Sequence, residues 1–325
     1  IDTMSAELSA IEQVSLQEAY AAAHSSAIVV DRSDLGMLKF TGKTRLDLIN
    51  RMSTQKVLNL EPGQGAATVL TTDIGRIIDR LILYADNEAV YCLTGEGHGA
   101  DVAAYLRRFV FFMDDFQVED LSADTVVLAV YGSQAGQAVS SLFDEVDIPI
   151  HHWRRADLNG AAVYLHRTDG VAGDGYFITC QEAHRPALEK AVIEAGLTPA
   201  GEAAYDYLRI ESGLPRFGRE LTLDYIPLEA GLWDDVSFNK GCYTGQEIIA
   251  RLESRGRLAK RLVRLTAAEP LAGGQELTAG GKSAGSITSA GDGPGGPQAL
   301  AYVKAAILDQ GQQLSAGEIA VTIAA

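Results

Sequence analysis

The sequence predicts an α+β fold of more than one domain that ends in a small all-β unit. Three observations predict it. The chain has 325 residues, more than one ordinary core serves. Strand-type and helix-type patterns alternate between residues 123 and 202. From Lys260 onward short β-type runs are separated by glycine-rich turns such as Gly291 to Gly296, the pattern of a small barrel or sandwich.

Taken in order, residues 6 to 24 read as a helix, with Leu8, Ile11, Val14 and Leu16 partly periodic and an alanine run after them. Ala27 to Val30 and Leu35 to Phe40 read as strands around a turn. Thr41-Gly42 opens a helix with Leu46, Leu48, Ile49 and Met52 on one face, closed by Ser53-Thr54. Ala66 to Leu70 and Arg76 to Tyr84 form a hairpin about Thr72 to Gly75, followed by a strand at Ala89 to Thr94. Gly99 to Phe112 reads as a helix. Thr125 to Tyr131 is a buried-type strand, and strands at Ala161 to Arg167 and Gly175 to Thr179 lie between helices at Ser133 to Phe143 and His184 to Ala195. Glu202 to Gly213 and Thr244 to Leu252 read as further helices. The β-type runs of the last unit are Leu262 to Leu265, Ser286 to Thr288, Ala299 to Val303 and Ile319 to Ile323.

Composition narrows the function. Hydrophobic residues make up 47% and charged residues 22%, a globular composition. A formal net charge of −16 repels nucleic acid and anionic lipid, so neither is an expected partner. No apolar run approaches the ~20 residues of a membrane helix. Ile1 to Ala10 carries acids and no apolar segment of a secretory signal, and Met4 stands where a natural start is expected. Cys92, Cys180 and Cys242 are far apart and form no CxxC pair, so neither a disulfide framework nor a structural zinc site is expected, and the chain reads as cytoplasmic. Adjacent His151 and His152 point to opposite faces of a strand, which argues against a metal site there.

The chemistry concentrates in residues 240 to 251. Thr244 with Glu247 fits a capping box at a helix start. Gly241 and Gly245 permit tight turns and close approach of a ligand. Cys242 precedes that helix start with Lys240 two residues away, and both features favour a thiolate. The alternative is a buried cysteine acting as a small hydrophobe. From Arg251 to Arg264 six basic residues face one acid, Glu253, which suits either an anionic small molecule or a solvated linker. Trp233 and Tyr243 flank the segment as stacking or core aromatics.

Lys240, Gly241, Cys242, Tyr243, Thr244, Gly245, Gln246 and Glu247 resemble the signature octapeptide of the YgfZ family, K-G-C-F/Y-x-G-Q-E, at every defined position. Phe40 to Thr54, Leu208 to Gly213 (LRIESG) and Pro227 to Leu232 (PLEAGL) resemble segments of the glycine-cleavage T proteins, and the similarity spans about residues 25 to 325. The resemblance implies a three-domain T-protein-like fold around a central tetrahydrofolate cavity. The domains would be 1–122 with 203–257, then 123–202, then a barrel at 258–325.

It also implies roles. Glu211 would accept adjacent pterin N–H groups, and Lys240 would serve the same folate, so that pterin and Cys242 share a cavity. Glu229, Asp79 and Arg251 are further folate-binding candidates. Where aminomethyl-transferring relatives carry G-G-I-x-D-D-L, this chain has Gly75 to Leu81 with Asp79 followed by Arg80. An arginine cannot act as general base, which argues against glycine cleavage. The expected function is therefore that of a tetrahydrofolate-binding, monomeric accessory protein for iron–sulfur proteins, working through Cys242. Three separate cysteines cannot build a four-thiolate cluster site, so any cluster contact would be transient. The alternatives are a folate-dependent aminomethyltransferase or demethylase, and a binding module with an inert Cys242.

Overall fold

The computed structural model describes residues 13–144 and 146–324, so Met4 and residues 6–12 of the expected first helix lie outside it. The first described helix, Leu16–Ser25, starts at a capping box: the Ser15 hydroxyl accepts from Glu18 N while the Glu18 carboxylate accepts from Ser15 N.

Two sheets face each other. One has five antiparallel strands in the order Gly65–Thr71, Ile77–Ala85, Ala89–Glu96, Leu35–Thr41 and Gln117–Asp120. The other has six, in the order Thr198–Pro199, Ile28–Asp31, Thr125–Gly132, Asp174–Gln181, Ala161–Thr168 and Trp153–Leu158. Strand Thr125–Gly132 explains the layering. Val126, Leu128 and Val130 face a core with Val139 and Leu188 of two covering helices. Val127, Ala129 and Tyr131 face a second core shared with Met37, Ile82, Tyr84 and Leu93 of the other sheet. A strand buried on both faces reads as an unbroken apolar run. The outer face of the five-stranded sheet is closed by helices Arg45–Met52 and Gly99–Arg107 through Leu48, Ile49, Val102 and Leu106.

Strand pairing cuts across the expected division at residue 122. Ile28–Asp31 pairs with Thr125–Gly132 and, in parallel, with Thr198–Pro199. Residues 260–323 close into a six-stranded barrel in which Lys260–Ala267 pairs with both Gln298–Lys304 and Ile319–Ile323. Helix Glu202–Glu211 fastens the barrel through Arg209, which is fully buried. Its guanidinium meets Glu220 at 2.7 Å and the barrel's Ser289 hydroxyl at 2.6 Å.

Three local expectations change. Helix Gly99 ends at Arg107 rather than Phe112, because the Asp114 carboxylate takes the Phe111 amide at 2.9 Å and turns the chain. Strands Gln117–Asp120 and Trp153–Leu158 lie where no strand is expected; their residues are charged or only half apolar. The helix that begins within the octapeptide runs Gln246–Arg255, with Gly245 and not Thr244 as its N-cap, so the expected capping box is absent.

Candidate functional site

The octapeptide is a loop anchored at both ends. Lys240 Nζ donates to the carbonyls of Asn50, Ser53 and Gln55 at 2.7, 2.8 and 2.7 Å. These are orphan acceptors at and beyond the C-terminus of helix Arg45–Met52, where a cation is favoured. Burial pushes the Lys240 ammonium down to about 8. Its Nζ lies 5.1 Å from the Tyr243 ring centre, and Tyr243 packs into an apolar cluster with Leu228, Val236 and Ile249. At the other end Thr244 N donates to Arg51 O at 3.2 Å, and the Thr71 hydroxyl donates to Thr244 O at 2.6 Å.

Gly245 has φ +85°, and a Cβ there would stand 2.6 Å from Thr72 O. Only glycine lets the loop lie this close to the hairpin turn. Between the anchors, Gly241 and Cys242 are exposed. The thiol is thus presented to solvent rather than buried, unlike Cys92 and Cys180. Gln246 and Glu247 begin the following helix, where Glu247 pairs with Arg251 at 2.9 Å on an exposed face.

A separate central cavity of about 90 Å³ lies between the sheets and the 214–221 segment. Asp79 lines it and is fully buried. Its carboxylate accepts from Gly95 N at 3.0 Å and meets His98 Nδ1 at 2.9 Å. Burial pushes the Asp79 carboxyl up, and the hydrogen bond to Asp79 pushes the His98 imidazole up. His98 in turn stacks on Phe217 at 4.3 Å. Phe217 lies so close to Gly95 that a Cβ there would stand 2.3 Å from its ring.

Arg80 also lines the cavity. Its Nε reaches Asp235 at 2.6 Å and its Nη1 reaches Asp169 at 2.6 Å, so the position after Asp79 is held by a charged arginine paired with two carboxylates. Glu96 bridges Arg32 at 2.6 Å and Arg216 at 2.7 Å, and Arg32 lies 4.3 Å over the Tyr205 ring.

Of the expected folate residues, Asp79 alone lines this cavity. The Glu211 carboxylate is engaged elsewhere, by the Tyr20 hydroxyl at 3.0 Å, His24 Nε2 at 2.8 Å and Gln298 Nε2 at 3.3 Å. Its backbone oxygen accepts from Arg264. Glu229 is buried, and burial pushes its carboxyl up; it lines an outer groove with Trp233 and Arg261. Neither Lys240 nor Cys242 lines the central cavity. Sequence reasoning passed over His98, Glu96, Arg216 and Phe217. Gly95 and the ring of Phe217 meet only after folding, and an isolated histidine carries no local signal.

Comparison with known proteins fits this architecture. Residues 8–240 match the GCVT N-terminal domain family, and residues 260–325 match the C-terminal β-barrel domain of CAF17. The exposed part of the octapeptide, Gly241-Cys242, falls between the two matched stretches. A chloroplastic protein of Arabidopsis thaliana named as a putative transferase is 29% identical over 93% of this chain and 71% of its own. The aminomethyltransferase of Halalkalibacterium halodurans is 30% identical over 74% of this chain and 68% of its own. The solved glycine cleavage system aminomethyltransferase T of Bartonella henselae superposes with a TM-score of 0.84 at 23% identity, covering 95% of this chain and 88% of that one. The expected T-protein-like α+β fold with a closed C-terminal barrel is therefore the observed fold. Among the described residues no helix is long and apolar enough to cross a membrane.

Proposed function

The chain belongs to the GCVT N-terminal domain family of T proteins and carries the CAF17 barrel, and from that premise we propose that it binds tetrahydrofolate and serves iron–sulfur proteins through Cys242. The observation that carries this reading is the octapeptide loop: Lys240 and Gly245 hold it rigidly while the Cys242 thiol faces solvent. A rigid loop with an exposed thiol suits a nucleophile, a redox thiol or a transient ligand toward a partner's cluster. Of the three cysteines only Cys242 is exposed, which suits a thiol that meets client proteins transiently.

Asp79 and Glu96 line the central cavity and would accept pterin N–H groups on exchanging their present partners, Gly95 N with His98 and Arg32 with Arg216. Tyr205 and Phe217 would offer flat faces once Arg32 and His98 shift from them. The cavity's present volume, about 90 Å³, is well below the roughly 300 Å³ at which ligand pockets begin, so binding requires Arg216 or Phe217 to move aside. Glu211 takes part only by releasing Tyr20 and His24. Bound tetrahydrofolate would supply a carrier for one-carbon units. The protein's part is to orient the pterin, exclude water and hold a proton between Asp79 and His98.

One observation favours the second reading, a folate-dependent aminomethyltransferase or demethylase. Asp79 is a buried carboxylate hydrogen-bonded to a histidine at the cavity wall, a pairing suited to proton transfer. Against it stands Arg80, whose charge occupies the neighbouring position.

Calorimetric titration with tetrahydrofolate under anaerobic, reducing conditions tests the binding. Saturable heat in the parent, lost in Asp79→Asn, supports the site; a well-folded parent that releases no heat overturns it. Complementation tests the thiol: a deletion strain whose iron–sulfur enzyme activities return in full with Cys242→Ala would remove Cys242 from the function. Turnover of an N-methyl or aminomethyl donor to methylene-tetrahydrofolate would move the second reading to the front.

A further inference from the structure

The two sheets do not close completely on each other. Beside the apolar core between them lies a cavity of about 370 Å³ that shares no lining residue with the central cavity. Its size falls within the range of small-molecule sites. Three aromatic rings line it. Tyr91 comes from the five-stranded sheet, and Trp153 and Tyr164 come from the six-stranded one. Their centroids stand 5.5 Å (Trp153–Tyr164), 6.2 Å (Tyr91–Trp153) and 6.5 Å (Tyr91–Tyr164) apart. The Trp153 ring is fixed, since its Nε1 donates to Ala85 O at 2.8 Å.

A buried histidine stands in the wall of the cavity. His166 lines it and is 2% exposed. Its Nε2 meets the Thr179 hydroxyl at 3.0 Å, while its buried Nδ1 has no partner among the described residues. Burial pushes this imidazole down to about 3, so it is neutral and carries one donor and one acceptor nitrogen. Lys39 and Glu119, opposite each other on neighbouring strands, and exposed Gln181 supply the polar part of the lining.

We propose that this cleft is a second binding site, for a planar aromatic molecule of about two fused rings that lies against Tyr91, Trp153 and Tyr164 with its polar substituents toward Lys39, Glu119 and Gln181. The aromatic walls give stacking surface, which tolerates many ring types. The site is independent of the tetrahydrofolate reading, because the two cavities have separate walls.

The chain has two tryptophans, and Trp233 is exposed, so Trp233→Phe leaves Trp153 as a reporter inside the cleft. Quinoline is titrated against that variant while Trp153 emission is read. A saturable change is expected, weakened at least tenfold by Ala162→Phe, which fills the cleft from the strand Ala161–Thr168. Exposed Gln181→Phe obstructs the cleft without touching the core and serves if Ala162→Phe fails to fold. Excess tetrahydrofolate is expected to leave the quinoline midpoint in place. A purely linear, collisional response overturns the proposal, since water alone then fills the cleft. A saturable response that neither variant weakens overturns it too, because the probe then binds elsewhere.

Discussion

Arg80 Nη1 stands 2.6 Å from Asp169 Oδ2, and the same guanidinium holds Asp235 at 2.6 Å. Arg80 lies on the five-stranded sheet and Asp169 follows a strand of the six-stranded one. Asp235 precedes the octapeptide, and its backbone oxygen accepts from the Thr54 hydroxyl at 2.6 Å. One side chain therefore ties both sheets and the segment leading to Cys242. Removing it leaves the buried Asp235 carboxylate uncompensated, an event that costs about 3–5 kcal/mol for a buried pair. Partial exposure of Asp169 reduces this, so Arg80→Ala is expected to lose about 3 kcal/mol in urea unfolding. The triple variant Arg80→Leu, Asp169→Asn, Asp235→Asn is expected to regain most of it. An unchanged midpoint in Arg80→Ala would refute the tie. Burial alone would push Asp169 up, but the Arg80 guanidinium holds it below its ordinary value. That contribution is complete above about pH 4 and is lost as the pH falls through the lowered value.

Lys240 gives a second prediction, because its two readings separate cleanly. As a cap on three carbonyls, Lys240→Met should lower stability by roughly 1–3 kcal/mol. Tetrahydrofolate affinity measured well below the unfolding transition should stay within a few-fold of the parent. A large loss of affinity with intact stability would restore the folate role that the sequence resemblance implies.

What the sequence discloses and what it hides follow from range. The strand Thr125–Gly132 is legible because both its faces are apolar, and the barrel because its turns carry glycine. Cys242 is legible because eight contiguous residues surround it. The cavity is not. Arg80 meets partners 89 and 155 residues away, and Glu96 meets Arg216 across 120 residues. Residue types at such separations carry no periodicity, so only the fold brings them together. The same limit hides the contacts of Glu211, whose carboxylate meets Tyr20 and His24 of a distant helix.

The Asp79–His98 pair is expected to show itself by titration. The His98 imidazole is raised above its ordinary value by the hydrogen bond to Asp79. A raised histidine stabilises the fold below about pH 6.5, and this is lost as the pH rises through the folded value. Asp79→Asn removes the partner charge, so the His98 resonance in a proton NMR titration should shift to a lower midpoint. The stability difference between parent and variant should also narrow as the pH is raised past that midpoint. A His98 midpoint that does not move on substitution would show that the two groups are not coupled.

The two loop glycines are predicted to behave differently. Gly245 requires φ +85° and has no room for a Cβ beside Thr72 O, so Gly245→Ala should cost at least the ~1–2 kcal/mol of a left-handed alanine. A Cβ on exposed Gly241 meets nothing within 4 Å, and its φ lies outside the left-handed region, so Gly241→Ala should leave the melting temperature unchanged. If the thiol works on a partner, the bare backbone beside Cys242 is where that partner comes close. Gly241→Ala should then reduce complementation of iron–sulfur enzyme activity while the purified protein melts like the parent. Full complementation by Gly241→Ala together with full complementation by Cys242→Ala would leave the loop as a structural anchor only, and the function would have to rest in the cavities.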